Sequence, residues 1–358
     1  MPLSARPPLS INGLSTLLRR GACMALAAAG LLADASAQAA TPCAPPRHGF
    51  NLVQDDRAPL GSAQAEASLK QLRGTGANAV AIVPFFRQPR SDSTDVSRGS
   101  DMSDGELARA IRTAHKLGLA AIVKPHVQIP DGDPGDVRMA SDDDWAQWFH
   151  HYEQALAGLA AVAKDEHAEA LVIGTELDQS LDRPEWPDLI ARLRRIFHGK
   201  LVYAARGAEG AERVPFWNKL DAVGATLYPT LGADNDPDSW RAAMASERDH
   251  LLALAKQAKR HLFIAEIGIR SASGAAARPG QRPDENGAPA DEALQAKVLA
   301  TWMAELSDPA IHTVLVWRWN SDPDSGGASD TDYTVQGKSA ERALTKQWRS
   351  CSRTVAVW

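Results

Sequence analysis

A single-domain α/β fold, a (β/α)8 TIM barrel, is what the sequence predicts, and three observations predict it. Short, unbroken apolar runs recur from residue 49 to residue 320, eight in all. Segments with helical spacing separate them, which is the pattern of parallel strands covered on both faces. No Gly-x-Gly-x-x-Gly follows the first run, so an open dinucleotide-binding sheet loses its main support, and eight strand–helix units are the number that closes a barrel.

Taken in order, Gly49 to Val53 is the first strand and Ala65 to Leu72 a helix. Asn78 to Phe85 is the second strand, rich in Val, Ile and Phe. Ser103, with Glu106 three residues later, opens a helix to Lys116 in a capping-box pattern. Leu119 to Val127 is the third strand. A long helix from Ser141 to Lys164 presents Trp145, Trp148, Phe149 and Tyr152 on one face, a spacing for core packing. Ala170 to Leu177 is the fourth strand, Pro184 to Phe197 a helix, Lys200 to Ala205 the fifth strand and Pro215 to Leu220 a short helix. Ala222 to Tyr228 and His261 to Gly268 are the sixth and seventh strands, with a helix from Pro237 to Lys259 between them. A helix from Asp291 to Leu306, the eighth strand from Thr313 to Asn320 and a helix from Ser339 to Ser350 complete the series. The Pro- and Gly-rich stretch from Ser273 to Pro289 is too long for an ordinary connection and reads as functional.

The first 40 residues stand apart. Arg19 and Arg20 precede an uncharged apolar run from Met24 to Leu32, and Ala35-Ser36-Ala37 or Ala37-Gln38-Ala39 offers a cleavage site. This is the pattern of a secretory signal peptide, and the run is too short for the ~20 residues that span a bilayer. The expectation is residues 1–40 as leader, 41–358 as one barrel domain, and a periplasmic or secreted protein without stable membrane insertion. The whole chain carries a net charge of −5; removing a leader with three Arg and one Asp leaves −7. An acidic surface argues against nucleic acid as a partner. Cys23 leaves with the leader, and Cys43 and Cys351 remain at the two ends of the mature chain. In an oxidising compartment they read as a disulfide, with two unrelated thiols as the alternative.

Barrel enzymes carry their chemistry at the C-terminal ends of the strands. Two glutamates, Glu176 and Glu266, end otherwise apolar runs on strands four and seven. A charge there is costly unless paired or functional. Structural ion pairs with Lys124, Arg206 or Arg270 are one account. Glycosidic cleavage is the other: it needs two carboxyls, and strands four and seven face each other across the mouth, where a retaining enzyme holds them ~5–5.5 Å apart. Tyr228, Lys124, His126 and Arg206 also end strands. Trp317 and Trp319 share a side of strand eight by the period-two rule, as a sugar platform or as core. The acidic segments around Asp131 to Asp136 and Asp322 to Asp332 lack EF-hand spacing and read as solvated loops, so neither a metal nor another cofactor is expected.

At this point the chain resembles clan A of the glycoside hydrolases, and within it glycoside hydrolase family 113 and its relatives, which include β-mannanases. The matching segments are Ile122 to Val127, Val172 to Leu177, Val214 to Trp217, Ala265 to Ser271 and Val316 to Trp319. The resemblance implies Glu176 as general acid/base, Glu266 as nucleophile, Tyr228 as the hydroxyl orienting the nucleophile, and a mannan-type carbohydrate as substrate; by their own places at strand ends, Lys124, His126, Arg206 and one of Trp317 and Trp319 are candidate contacts to that carbohydrate. Two positions depart from it: Thr175 stands where many clan A enzymes carry Asn, and Ala205-Arg206 ends strand five. A hydrolase or transglycosylase for a bacterial exopolysaccharide, and a non-catalytic carbohydrate-binding barrel, remain as other readings.

Overall fold

A computed structural model describes residues 46–130, 132–282 and 287–351, apart from the side chain of Cys351. The proposed leader and Cys43 lie outside the described residues. Eight parallel strands close into a barrel: β1 (Arg47–Val53), β2 (Ala79–Ile82), β3 (Ala120–Val123), β4 (Ala170–Thr175), β5 (Lys200–Arg206), β6 (Ala222–Leu227), β7 (His261–Ile267) and β8 (Ile311–Asn320). Each strand pairs with its neighbours in sequence, and β8 returns to pair with β1 through Arg47↔Thr313 and Phe50↔Val316. The outer layer is α1 (Ala63–Gly74), α2 (Asp104–Lys116), α3 (Asp142–Asp165), α4 (Glu185–Ile196), α5 (Gly207–Glu212), α6 (Pro237–Ala258), α7 (Glu292–Glu305) and α8 (Ser339–Cys351). The (β/α)8 class is therefore the observed one.

The strands read as continuous apolar runs because both faces are covered. Ala79, Ala81, Ile122, Val172, Val202, Ala204, Phe263 and Leu315 fill the barrel interior. The alternate residues join a larger core between strands and helices. On α3, Trp148 stacks on Tyr152 with ring centroids 4.7 Å apart. The Tyr152 hydroxyl donates to the Ile173 carbonyl at 2.9 Å. From α4, the Trp186 indole donates to the Ser180 carbonyl at 2.8 Å and packs edge-on against Tyr203 at 5.4 Å. Truncating one such buried Trp costs about 3–5 kcal/mol, so α3 and α4 hold the outer face of β4, the strand that leads into Glu176. The capping box at Ser103 is formed with both hydrogen bonds.

Three expectations are corrected. The second and third strands end at Ile82 and Val123, short of Phe85 and Val127, because Pro84 and Pro125 cannot donate to the ladder. Beyond them the chain pairs again: Phe85–Arg87, Ser97–Arg98 and His126–Gln128 form a separate three-stranded sheet. The short helix placed at Pro215 to Leu220 is a 3-10 turn at Trp217–Lys219, and α5, unanticipated, follows β5 directly.

Candidate active site

β4 runs through Thr175, and Glu176 follows with φ +56°, a left-handed conformation that side chains other than Gly rarely adopt. Such strain persists only where surroundings enforce it. Here the Glu176 N–H donates to the Ala204 carbonyl at 2.9 Å, and the Leu177 N–H donates to the Tyr203 hydroxyl at 2.9 Å. The turn points the carboxylate into a cleft of about 660 Å³ at the C-terminal ends of the strands. Glu176, Glu266, His126, Arg206, Tyr228 and Trp317 all line it.

Both carboxylates are buried, at 7 % and 4 % exposure. Glu266 is gripped on both oxygens: the Lys124 ammonium contacts Oε1, and the Tyr228 hydroxyl donates to Oε2 at 2.7 Å. Burial alone would raise its pKa, but Lys124 and Tyr228 help outweigh burial and hold it below the ordinary glutamate value. Lys124 is itself wholly buried and lies 5.1 Å from the Trp317 ring centroid, a cation–π distance. His126 Nε2 stands 4.0 Å from Glu266 Oε1; burial and the Lys124 charge lower its pKa and favour the neutral ring.

Glu176 is held differently. The Thr226 hydroxyl donates to Oε1 at 2.5 Å, and Arg206 Nη2 lies 2.9 Å from Oε2. Burial pushes its pKa up to about 7, opposed by Arg206 and assisted by the charge of Glu266. One carboxyl is thus kept ionised and its neighbour poised to carry a proton near neutrality. Such a division is what an acid and a nucleophile would require.

The family model for Glycoside Hydrolase Family 113 matches residues 50–338. The chain belongs to Glycoside Hydrolase Family 113.

Solved family 113 structures superpose well. The β-mannanase of Alicyclobacillus acidocaldarius in complex with ManMIm is 24% identical with a TM-score of 0.74, over 86% of this chain and 98% of that one. A family 113 β-1,4-mannanase is 26% identical with a TM-score of 0.74, over 86% and 99%. More remotely, the β-glucuronidase of Ruminococcus gnavus is 12% identical with a TM-score of 0.57, over 86% of this chain and 50% of that one. No curated protein matches the chain.

For a family 113 protein, the remaining placements follow from local geometry. Trp319 does not join Trp317 in the cleft. It is fully buried, packs on Phe50 at 4.9 Å and donates from its indole to Ser68 of α1 at 2.8 Å. The cause is a bulge: Phe50 pairs with Val316 and Leu52 with Trp319, so β8 holds one extra residue and the alternation shifts. Trp145 and Trp148 pack beneath α3, as expected. Asp322, Asp330 and Asp332 pair with Arg57, Lys338 and Arg318 respectively. Arg318 and Tyr333 line the cleft without having been singled out from the sequence. Neither was Thr226, although it lies two residues before Tyr228 on one face of β6, so a single strand end steadies both carboxyls.

Proposed function

We propose that this glycoside hydrolase cleaves a β-linked, mannan-type polysaccharide or oligosaccharide with retention of configuration, as an endo-β-1,4-mannanase. The carrying observation is the opposed environment of Glu176 and Glu266 in one cleft. Glu266, ionised, attacks the anomeric carbon as Glu176 passes its proton to the departing glycosidic oxygen, forming a glycosyl-enzyme. Glu176, now ionised, takes a proton from water, whose oxygen attacks the anomeric carbon and releases Glu266. Tyr228 and Lys124 fix the nucleophile's orientation, and Trp317 supplies a flat apolar face for a pyranose ring. The mannan preference rests on the names of the β-mannanase structures that the chain resembles. The leader-like N-terminus supports export to the periplasm or medium, and sequencing the N-terminus of the mature protein tests that.

Glu266→Gln is expected to lower kcat at least about a thousandfold with the fold intact. Glu176→Ala should be slow on polysaccharide yet recover on aryl glycosides with good leaving groups, where azide traps a product of retained configuration. Near-wild-type turnover of polysaccharide by either variant, or an inverted first product by NMR, overturns the assignment. A panel of mannan, glucomannan, xylan, cellulose and β-glucan tests the sugar. A second reading, hydrolysis or transglycosylation of a bacterial exopolysaccharide, is favoured by Thr175 and Arg206, which depart from the mannanase-like pattern. Product analysis with added acceptor sugars separates the two.

A further inference from the structure

Arg206 ends β5 and faces three carboxylates at once. Its Nη2 contacts Glu176 Oε2 at 2.9 Å and also Asp133. Its Nε donates to Asp178 Oδ2 at 2.8 Å. Both oxygens of Glu176 are engaged, and Oε1 faces inward, held by the Thr226 hydroxyl, itself 1 % exposed. Oε2 is therefore the atom left to meet a glycosidic oxygen, and a general acid must come within ≈ 2.6–3.2 Å of the atom it protonates. The guanidinium already lies at that distance from Oε2.

We propose that Arg206 is a substrate-displaced clamp on the acid/base, occupying Oε2 of Glu176 in the free enzyme and yielding that position to the leaving-group sugar while staying tethered to Asp178 and Asp133. The proposal rests on the reading of Glu176 as acid/base. Two features make the displacement feasible. Arg206 keeps two carboxylate partners when it releases the third, so the move exchanges one contact and does not strand a charge. Its side chain is also 45% exposed, whereas that of Glu176 is 9% exposed, so the arginine is the member with room to swing.

The consequence is a coupling between occupancy and acidity. The groups facing Glu176 are Thr226 and Arg206, which favour its ionised form, and Glu266 and Asp133, whose charges oppose it along with burial. Asp178 anchors Arg206, Tyr203 and Tyr228 sense the Glu176 charge as neutral phenols, and Lys124 is committed to Glu266. Moving the guanidinium off Oε2 weakens the stronger of the two groups that oppose burial and the Glu266 and Asp133 charges, and leaves the Thr226 hydroxyl as the remaining direct contact. The carboxyl then holds its proton more firmly when a leaving group is present to receive it. Arg206 is in this sense a positioning residue, acting through Glu176.

The test is a titration of Glu176 by carbon-13 NMR of glutamate-labelled protein, with the resonance assigned by its loss in Glu176→Gln. Glu266→Gln serves as the background so that β-1,4-mannopentaose, the probe, is not turned over. Arg206→Met should raise the Glu176 midpoint of the free protein by about 1–3 units, the effect of removing an adjacent opposite charge. Mannopentaose should raise the midpoint with Arg206 present and by a clearly smaller increment in Arg206→Met. If Arg206→Met does not fold, Arg206→Gln removes the same charge and reads the same shift. An unchanged free-protein midpoint, or an equal sugar-induced increment with and without the arginine, overturns the clamp. Hydrolysis by Glu176→Gln as fast as by wild type would instead remove the acid/base reading, whatever Arg206 does.

Discussion

At the scale of single residues, the cleft separates two chemically identical side chains by what touches them. Glu266 receives a cation and a phenol; Glu176 receives burial and only partial relief from Arg206. The same difference predicts how stability depends on pH. The folded pKa of Glu176, about 7, lies above the ordinary glutamate value of 4.5, so between those values the native state binds more protons than the unfolded chain. Stability from this group is full below about pH 4.5 and is lost as pH rises toward 7. Glu176→Gln removes that loss, so its melting temperature should exceed wild type by a few degrees at pH 8 and by less at pH 5. Equal differences at the two pH values would contradict the raised pKa. The alkaline limb of the rate profile should likewise fall near pH 7. Both glutamates were legible in the sequence because a charge at the end of an apolar strand has few structural uses. Thr226 was not, since threonine is an ordinary strand residue. The orientation of Arg206 was not, because Asp133 and Asp178 come from loops whose course no periodicity describes.

At the scale of elements, the site depends on how β4 is seated. Gly174 lies two residues before Glu176, and a Cβ there would fall 2.7 Å from Tyr203 Cε2 and 3.1 Å from the Trp186 ring. Both rings are fully buried and pack edge-on against each other, so neither has space to retreat. The Tyr203 hydroxyl also accepts from the Leu177 N–H, next to Glu176. Gly174→Ala should therefore cost about 1–3 kcal/mol by overpacking. It should also lower kcat by about a hundredfold, since a misplacement of ~1 Å costs that much. Calorimetry and kinetics on the purified variant check both, and unchanged kcat with a lowered melting temperature would show that Tyr203 does not position Glu176. The strand–helix order was legible because each strand is one unbroken apolar run. The three-stranded sheet was not, as Phe85–Arg87 and His126–Gln128 look like continuations of barrel strands. The paired clue was Pro84 and Pro125, each standing one residue before the chain enters the three-stranded sheet.

At the scale of the whole molecule, the barrel closes where the described chain begins and ends. β1 pairs with β8 from Arg47 onward, and α8 lays Trp348 against His48 at 5.0 Å and Phe50 at 5.1 Å. Arg349 also donates to the Gly74 carbonyl at the end of α1. Cys43 lies outside the described residues, but it precedes His48 by five residues and Cys351 follows Trp348 by three. This proximity supports the proposal that the two cysteines are bridged in the exported protein. A bridge closing so long a segment restricts the unfolded chain strongly, and typical disulfides stabilise by about 2–4 kcal/mol. The protein freed of the proposed leader should show no free thiol until it is denatured and reduced, and Cys351→Ser should melt several degrees lower with kcat unchanged, because the described neighbours in sequence, His48 and Trp348, pack together at the start of β1 and not among the residues that line the cleft. Two titratable thiols in the mature protein would refute the bridge, and the seam between β1 and β8 would then be held by strand pairing and the Trp348 cluster alone.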